Sequence, residues 1–241
     1  MEKRKSKFKL FIILAVSAVI IYVIYYYLFN YSGKINQGNF RINDFVVESK
    51  ADVTDGQTSS ENKTDLSGIV LNVSQKNIIT LLISQNSNVE VSSIYLDNIK
   101  VTKPQKVGNL IIYQSDQNQQ YNLSEDIENI PINLIKTADN QYNISLCIDN
   151  NDILKNTSVP ENITSLAYDG TIFNLFNIKL EDLSLTLQFD LNIEENTGKI
   201  DKCTIKLNLP DEKLLSSGIS VEREDISNFN FVIKSKKSIE K

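Results

Sequence analysis

Residues 10–29, LFIILAVSAVIIYVIYYYLF, run from Leu10 to Phe29 without one charged side chain. A helix rises about 1.5 Å per residue, so a run of this length matches the roughly 30 Å hydrocarbon core of a bilayer. A helix that is apolar on every face needs lipid or a very large core around it. One N-terminal transmembrane α-helix is therefore expected. Lys3, Arg4, Lys5, Lys7 and Lys9 precede the run, whereas Lys34 and Arg41 are the only basic residues at a comparable distance beyond it. That bias predicts a cytoplasmic N-terminus. Tyr22, Tyr25, Tyr26, Tyr27 and Tyr31, with Phe29, crowd the far end of the run, where amphipathic rings favour the headgroup zone. Cleavage as a signal peptide requires small residues just beyond a shorter run, and that place holds Tyr25 to Phe29. The run is read as an uncleaved anchor. Residues 1–9 then form a basic cytoplasmic tail, 30–39 a short tether, 40–234 an extracytoplasmic domain and 235–241 a polar tail.

The formal charge is -5 overall and +4 over the first nine residues, which leaves -9 for the rest. An acidic exported part speaks against nucleic acid as a partner, because such binding relies on clustered Lys and Arg. Isoleucine, asparagine and lysine make up about a third of the chain, a bias that resembles what an A+T-rich bacterial genome encodes.

From Phe40 onward the period is that of strands. Phe40 and Ile42, then Phe45 and Val47, alternate with polar residues, and the phase shifts at Asn43-Asp44 as a bulge requires. Residues 50–65 are almost free of apolar side chains and predict a loop or hairpin tip. Ile78 to Ile83 is apolar except at Thr80, which suits a strand buried on both faces or a short helix. Residues 115–122, SDQNQQYN, are the best internal candidate for a domain boundary. Thr171 to Leu180 is ambiguous between helix and strand. Leu183, Leu185, Leu187, Phe189, Leu191 and Ile193 alternate against Ser184, Thr186, Gln188, Asp190 and Asn192. They predict a half-buried strand, with EENTG at 194–198 as its turn and 199–209 as the returning arm of an antiparallel hairpin. Pro210 ends that arm, 211–216 reads as one helical turn stopped by Gly218, and Phe229, Phe231 and Ile233 mark a last strand. The pattern predicts an all-β, antiparallel β-sandwich, either single or split into two small sandwiches near 115–122.

The chain has no histidine. That removes the usual triads, the commonest general base and nearly all transition-metal sites, so no catalytic, cofactor-binding or metal residue is assigned. Glycoside hydrolysis needs only two carboxylates, and Glu194 with Glu195, or Glu222, Glu224 and Asp225, are available. Neighbouring residues on a strand face opposite ways, so these acids are expected to be solvated turn residues. Asp149-Asn150-Asn151-Asp152 is rich in hard oxygen ligands but lacks the regular calcium-loop spacing, and an Asx turn is expected there. Strand parity puts Cys147 on a polar face and Cys203 on an apolar one, which argues against a disulfide. The expected partners are the lipid bilayer through residues 10–29 and a membrane or envelope protein, with a wall polymer as the alternative. The function expected is a membrane-anchored, non-catalytic interaction or assembly module of the cell envelope; the competing expectation is a tethered domain that binds or cleaves wall carbohydrate.

Overall fold

The computed structural model describes residues 37–55, 66, 69–86, 88–114, 119–123, 129–133, 135–137 and 140–234. The residues from Gly38 onward form one compact unit. Among the described residues no helix is long and apolar enough to cross a membrane. The expected anchor from Leu10 to Phe29, its basic flank, its tyrosines and the 235–241 tail lie outside the described residues.

The fold is antiparallel and nearly all β. Its strands are β1 (Gln37–Asp55), β2 (Val70–Gln85), β3 (Val91–Lys103), β4 (Asn109–Gln114), β5 (Gln120–Asn122), β6 (Ile130–Pro131), β7 (Ile135–Lys136) and β8 (Gln141–Ser158). After two single-turn helices, α1 (Ile172–Leu175) and α2 (Leu180–Leu183), come β9 (Leu185–Glu195) and β10 (Ile200–Leu209). A third turn, α3 (Leu214–Ser217), leads to β11 (Ile219–Arg223), a 3-10 turn and β12 (Asn230–Lys234). The strands join one sheet in the order β5-β4-β8-β2-β1-β12-β10-β9-β3-β6, with β11 paired to β1 and β7 to β8.

Alternation determines which side chains meet. The inward positions of β2, Ile79, Leu81 and Ile83, are buried in the same cluster as Leu187, Phe189 and Leu191 of β9. Those strands are far apart in the sheet, so its two halves must face one another over a shared core. Strands on both sides of 115–122 feed that core, and β5, within this stretch, pairs with β4. It is no division between two cores.

A second apolar cluster sits at the opposite end of β1, β2 and β8, where Leu71, Val73 and Ile153 are covered by Phe173 of α1, Leu183 of α2 and Leu214 of α3. Between the two clusters the inward positions turn polar: Ser49, Gln75, Asn77 and Asn150 are all fully buried. The Ser49 hydroxyl and the Gln75 amide both donate to Asn77 Oδ1 at 2.8 Å, and Asn77 Nδ2 donates to the Ile148 carbonyl.

Several expectations are corrected. β1 begins at Gln37, inside the expected tether, and continues to Asp55, so residues 50–55 are strand. Its far end is held by a ladder from Lys50 to Asp55 against β2, with Ala51 and Val53 packed on the second cluster. Ile78 to Ile83 is a strand with one face fully buried and the other half-buried. Leu183 belongs to α2, ahead of the strand it was expected to start. The expected bulge is present as a register shift between Ile42 and Asp44. The ladder from Ile200↔Glu194 to Leu209↔Leu185 forms the expected hairpin, and Gly218, at φ 80°, ends α3.

Candidate functional site

The strand pairings bring seven strand ends together. β1 starts where β2 stops, because Phe40 pairs with Gln85, and β8 starts there too, because Gln141 pairs with Ser84. β3 starts opposite the end of β9, at Val91↔Glu195, and β12 stops opposite the first residue of β10, at Ile200↔Lys234. The domain is thus entered at Gly38 and left at Lys234 on one end.

At this end side chains fasten the segment that links β2 to β3. Gln85 Nε2 donates to the Val89 carbonyl at 2.6 Å, and the Tyr142 hydroxyl donates to Gln85 Oε1 at 2.9 Å. The Asn86 amide donates to the Asn39 carbonyl at 2.7 Å, and the Asn196 amide to the Glu90 carbonyl at 2.9 Å. Asn196 Nδ2 also bonds the Glu90 carboxylate. What remains open is a cleft of about 600 Å³. Gln85, Asn88, Glu90, Lys136, Asn140 and Asn196 line it, with Val89, Val91 and Tyr142 as apolar wall. Four amides and one charge of each sign give a polar lining without net charge. Such a lining suits hydroxyl and amide groups of a neutral ligand better than a phosphate or a bare cation.

Beside the cleft two carboxyl groups are buried in contact. Glu195 ends β9 and is 3% exposed; Asp201 opens the core-facing row of β10 and is 0% exposed. Asn39 binds both, its backbone amide donating to Asp201 Oδ1 at 2.7 Å and its side-chain amide to Glu195 Oε1 at 2.5 Å. The Thr197 hydroxyl donates to Glu195 Oε2 at 3.0 Å, and Lys199 Nζ lies 3.8 Å from Glu195 Oε1. Burial, with the negative charge of Glu195 added, pushes the Asp201 carboxyl up to about 6. Burial works in the same sense on Glu195, but hydrogen bonds from Asn39, Asp201 and Thr197 outweigh it and hold that group below its ordinary value. Asp201 Oδ2 has no hydrogen-bond partner as a bare carboxylate oxygen. Two carboxylate oxygens are both acceptors, so contact between them becomes a bond only when one carries a proton.

The other expected residues are spread over the domain. Glu195 is the clear correction: it is not a solvated turn residue, because the turn begins after it and its buried carboxylate accepts from the Asn39 side chain. Glu194, on the opposite face, accepts from the Ser93 hydroxyl at 3.1 Å. Glu222 pairs with Asp211 away from the cleft, and burial raises Glu224. Asp225 caps the 3-10 turn by accepting from the Ser227 amide. Residues 149–152 form no Asx turn but lie within β8. Their side chains serve separate partners: Asp149 accepts from Tyr113 Oη at 3.0 Å, Asn150 Nδ2 donates to the Val107 carbonyl at 3.0 Å, and Asp152 lies near Lys155. Both cysteines are free. Cys203 is in the main core, whereas Cys147 lies outside it, with its thiol 3.3 Å from Asp149 Oδ1.

The cleft escaped the sequence reading because its lining comes from five separate places in the chain. The one available signal was Asp201, an acid whose parity in 201, 203, 205, 207 and 209 puts it on the core face.

No family model matches the chain, and neither a curated protein nor a solved structure matches it.

Proposed function

We propose that the protein is a single-pass, N-in membrane protein whose extracytoplasmic β-sandwich, its two layers joined through β1 and β12, is a non-catalytic interaction module of the bacterial cell envelope. The observation that carries this reading is the amide-lined cleft at the end where β1 begins. Only residues 30–36 separate Phe29 from that strand, and they span at most about 25 Å when extended. A contact site at the entry end is then within reach of a partner embedded in, or lying on, the outer face of the membrane.

The test is cross-linking and mass spectrometry on the tagged full-length chain in its native membrane, beside a version carrying an unrelated anchor. A membrane or envelope protein linked through Lys136, and lost from an Asn140→Asp, Asn196→Asp variant that makes the cleft acidic, supports the reading. Turnover of an envelope substrate by the purified protein would overturn it.

A second reading, binding of a wall polymer, is favoured by the amide lining, since hydroxyl-rich chains are commonly held by such groups. Binding is preferred to cleavage because hydrolysis needs two carboxyl groups across one bond, and Glu90 is the one carboxyl among the described lining residues. Retention of the full-length protein on purified walls, abolished by Asn196→Ala, is the outcome expected of this second reading.

A further inference from the structure

The pair formed by Glu195 and Asp201 has a feature that packing alone does not require. Asp201 occupies a core-facing position, where β9 offers Ile193 and β12 offers Ile233 as its cross-strand neighbours. A leucine there would extend the apolar row of Cys203, Ile205 and Leu207. Instead the carboxyl reaches the first residues of β1. Gly38 is pressed against it: a Cβ at that position would collide with Asp201 Oδ1 and approach Phe231 Cβ to 2.7 Å.

We propose that Glu195 and Asp201 form a one-proton clasp on Gly38–Asn39, closed while the pair holds a single shared proton and loosened when that proton leaves. In the closed form Asp201 Oδ2 carries the proton and donates it to Glu195, while Oδ1 accepts from the Asn39 amide. Loss of the proton leaves two buried carboxylates side by side. Among the described residues the cation facing them is Lys199, from the turn; β1 contributes the neutral Asn39, β12 contributes Phe231 and Ile233, and β3 sets Val91 opposite Glu195, with the Glu90 carboxylate before it bonded to Asn196. One lysine at 3.8 Å from Glu195 does not neutralise two negative charges.

The direction follows from the two groups. Asp201 titrates above its ordinary value, so its contribution is complete in acid and is lost as the pH rises through about 6. Glu195 titrates below its ordinary value, so the anion that receives the proton persists until the pH falls below that value. The clasp is closed in mild acid and loosens toward neutral and alkaline pH. The effect extends to the cleft, because the Asn86 amide hangs on the Asn39 carbonyl and the Asn196 amide on Glu90, next to Glu195.

Hydrogen exchange read by mass spectrometry on the full-length chain in detergent micelles tests the clasp. Protection is expressed relative to each amide's intrinsic rate, at about pH 5 and about pH 8. Peptides covering Asn39 and Asn86 are expected to lose protection between the two, on the order of tenfold for each unit above the titration point. A peptide within Leu185–Phe189 serves as control and is expected to hold its protection. Asp201→Asn keeps the acceptor for Asn39 and supplies a permanent donor to Glu195, so the loss is expected to vanish. Glu195→Gln removes the second charge and serves the same purpose if Asp201→Asn does not fold. A wild-type chain with pH-independent protection at Asn39 overturns the clasp, as does an unchanged pH response in the variant that folds.

Discussion

Gly108 holds φ at 82°, and a Cβ there would be driven into the buried amide of Asn150. Gly108→Ala is expected to lower stability by about 1–3 kcal/mol, measured by urea denaturation, because it adds left-handed strain to a clash that β8 cannot relieve. At Cys147 and Cys203 burial pushes both thiols up to about 12. Neither is expected to react with a thiol reagent at about pH 8 until denaturant is added, and a titration giving one equivalent in the native state would contradict this. Asp190 shows the opposite case. It is 3% exposed yet titrates below its ordinary value, since Lys202 at 2.7 Å, Thr204 at 2.6 Å and Asn98 at 2.5 Å overcome the cost of its burial. Stability from a lowered carboxyl is present above its unfolded value and is lost as the pH falls through the folded one. Acid unfolding below about pH 4 is therefore expected to be steeper in the wild type than in Asp190→Asn. The sequence displays Asp190 as one more polar residue in an alternating strand. Its three partners come from β3 and β10, and no spacing within β9 announces them.

At the level of the element, strand type and phase are largely legible in the pattern, and strand length is not. The hairpin of β9 and β10 could be read from alternation alone, because a half-buried antiparallel strand repeats every two residues. β1 runs beyond its legible part, since Ala51 and Val53 are the only apolar inward residues after Val47. What keeps residues 50–55 extended is the ladder supplied by β2. The same cause hid the polar belt. Ser49, Gln75, Asn77 and Asn150 read as breaks in hydrophobicity, whereas the fold stacks them into one buried layer in which Asn77 is bonded across strands to Ser49 and the Ile148 carbonyl and within β2 to Gln75. Asn77→Ala removes the acceptor of both Ser49 and Gln75. It is expected to cost about 1–3 kcal/mol in chemical denaturation, more than the lost side chain alone suggests, because two buried donors are left unpaired.

Across the whole molecule the two apolar clusters share β1, β2 and β8, so neither can melt while the other keeps its strands. Phe173→Ala in the second cluster is expected to lower stability by about 3–5 kcal/mol and to shift a single transition seen equally by tyrosine fluorescence and circular dichroism. Two separated transitions would contradict the shared strands. The pairing of β1 with β12, in the middle of the sheet order, joins a strand from the start of the domain to one from its end. The sequence by itself determined the antiparallel β class, the bulge after Ile42, the β9–β10 hairpin, the stop at Gly218 and the unpaired state of the two cysteines, although Cys147, expected on a polar face, is buried as Cys203 is. Each of these rests on local chemistry: side-chain period, turn residues or the conformational freedom of glycine. Only the tertiary structure decided that both halves share one core, that a polar layer divides it from a second cluster, and that Asn39, Glu195 and Asp201 meet beside an amide-lined cleft. Those outcomes depend on which strand ends coincide, and that is set by long-range register, which no local stretch of sequence contains.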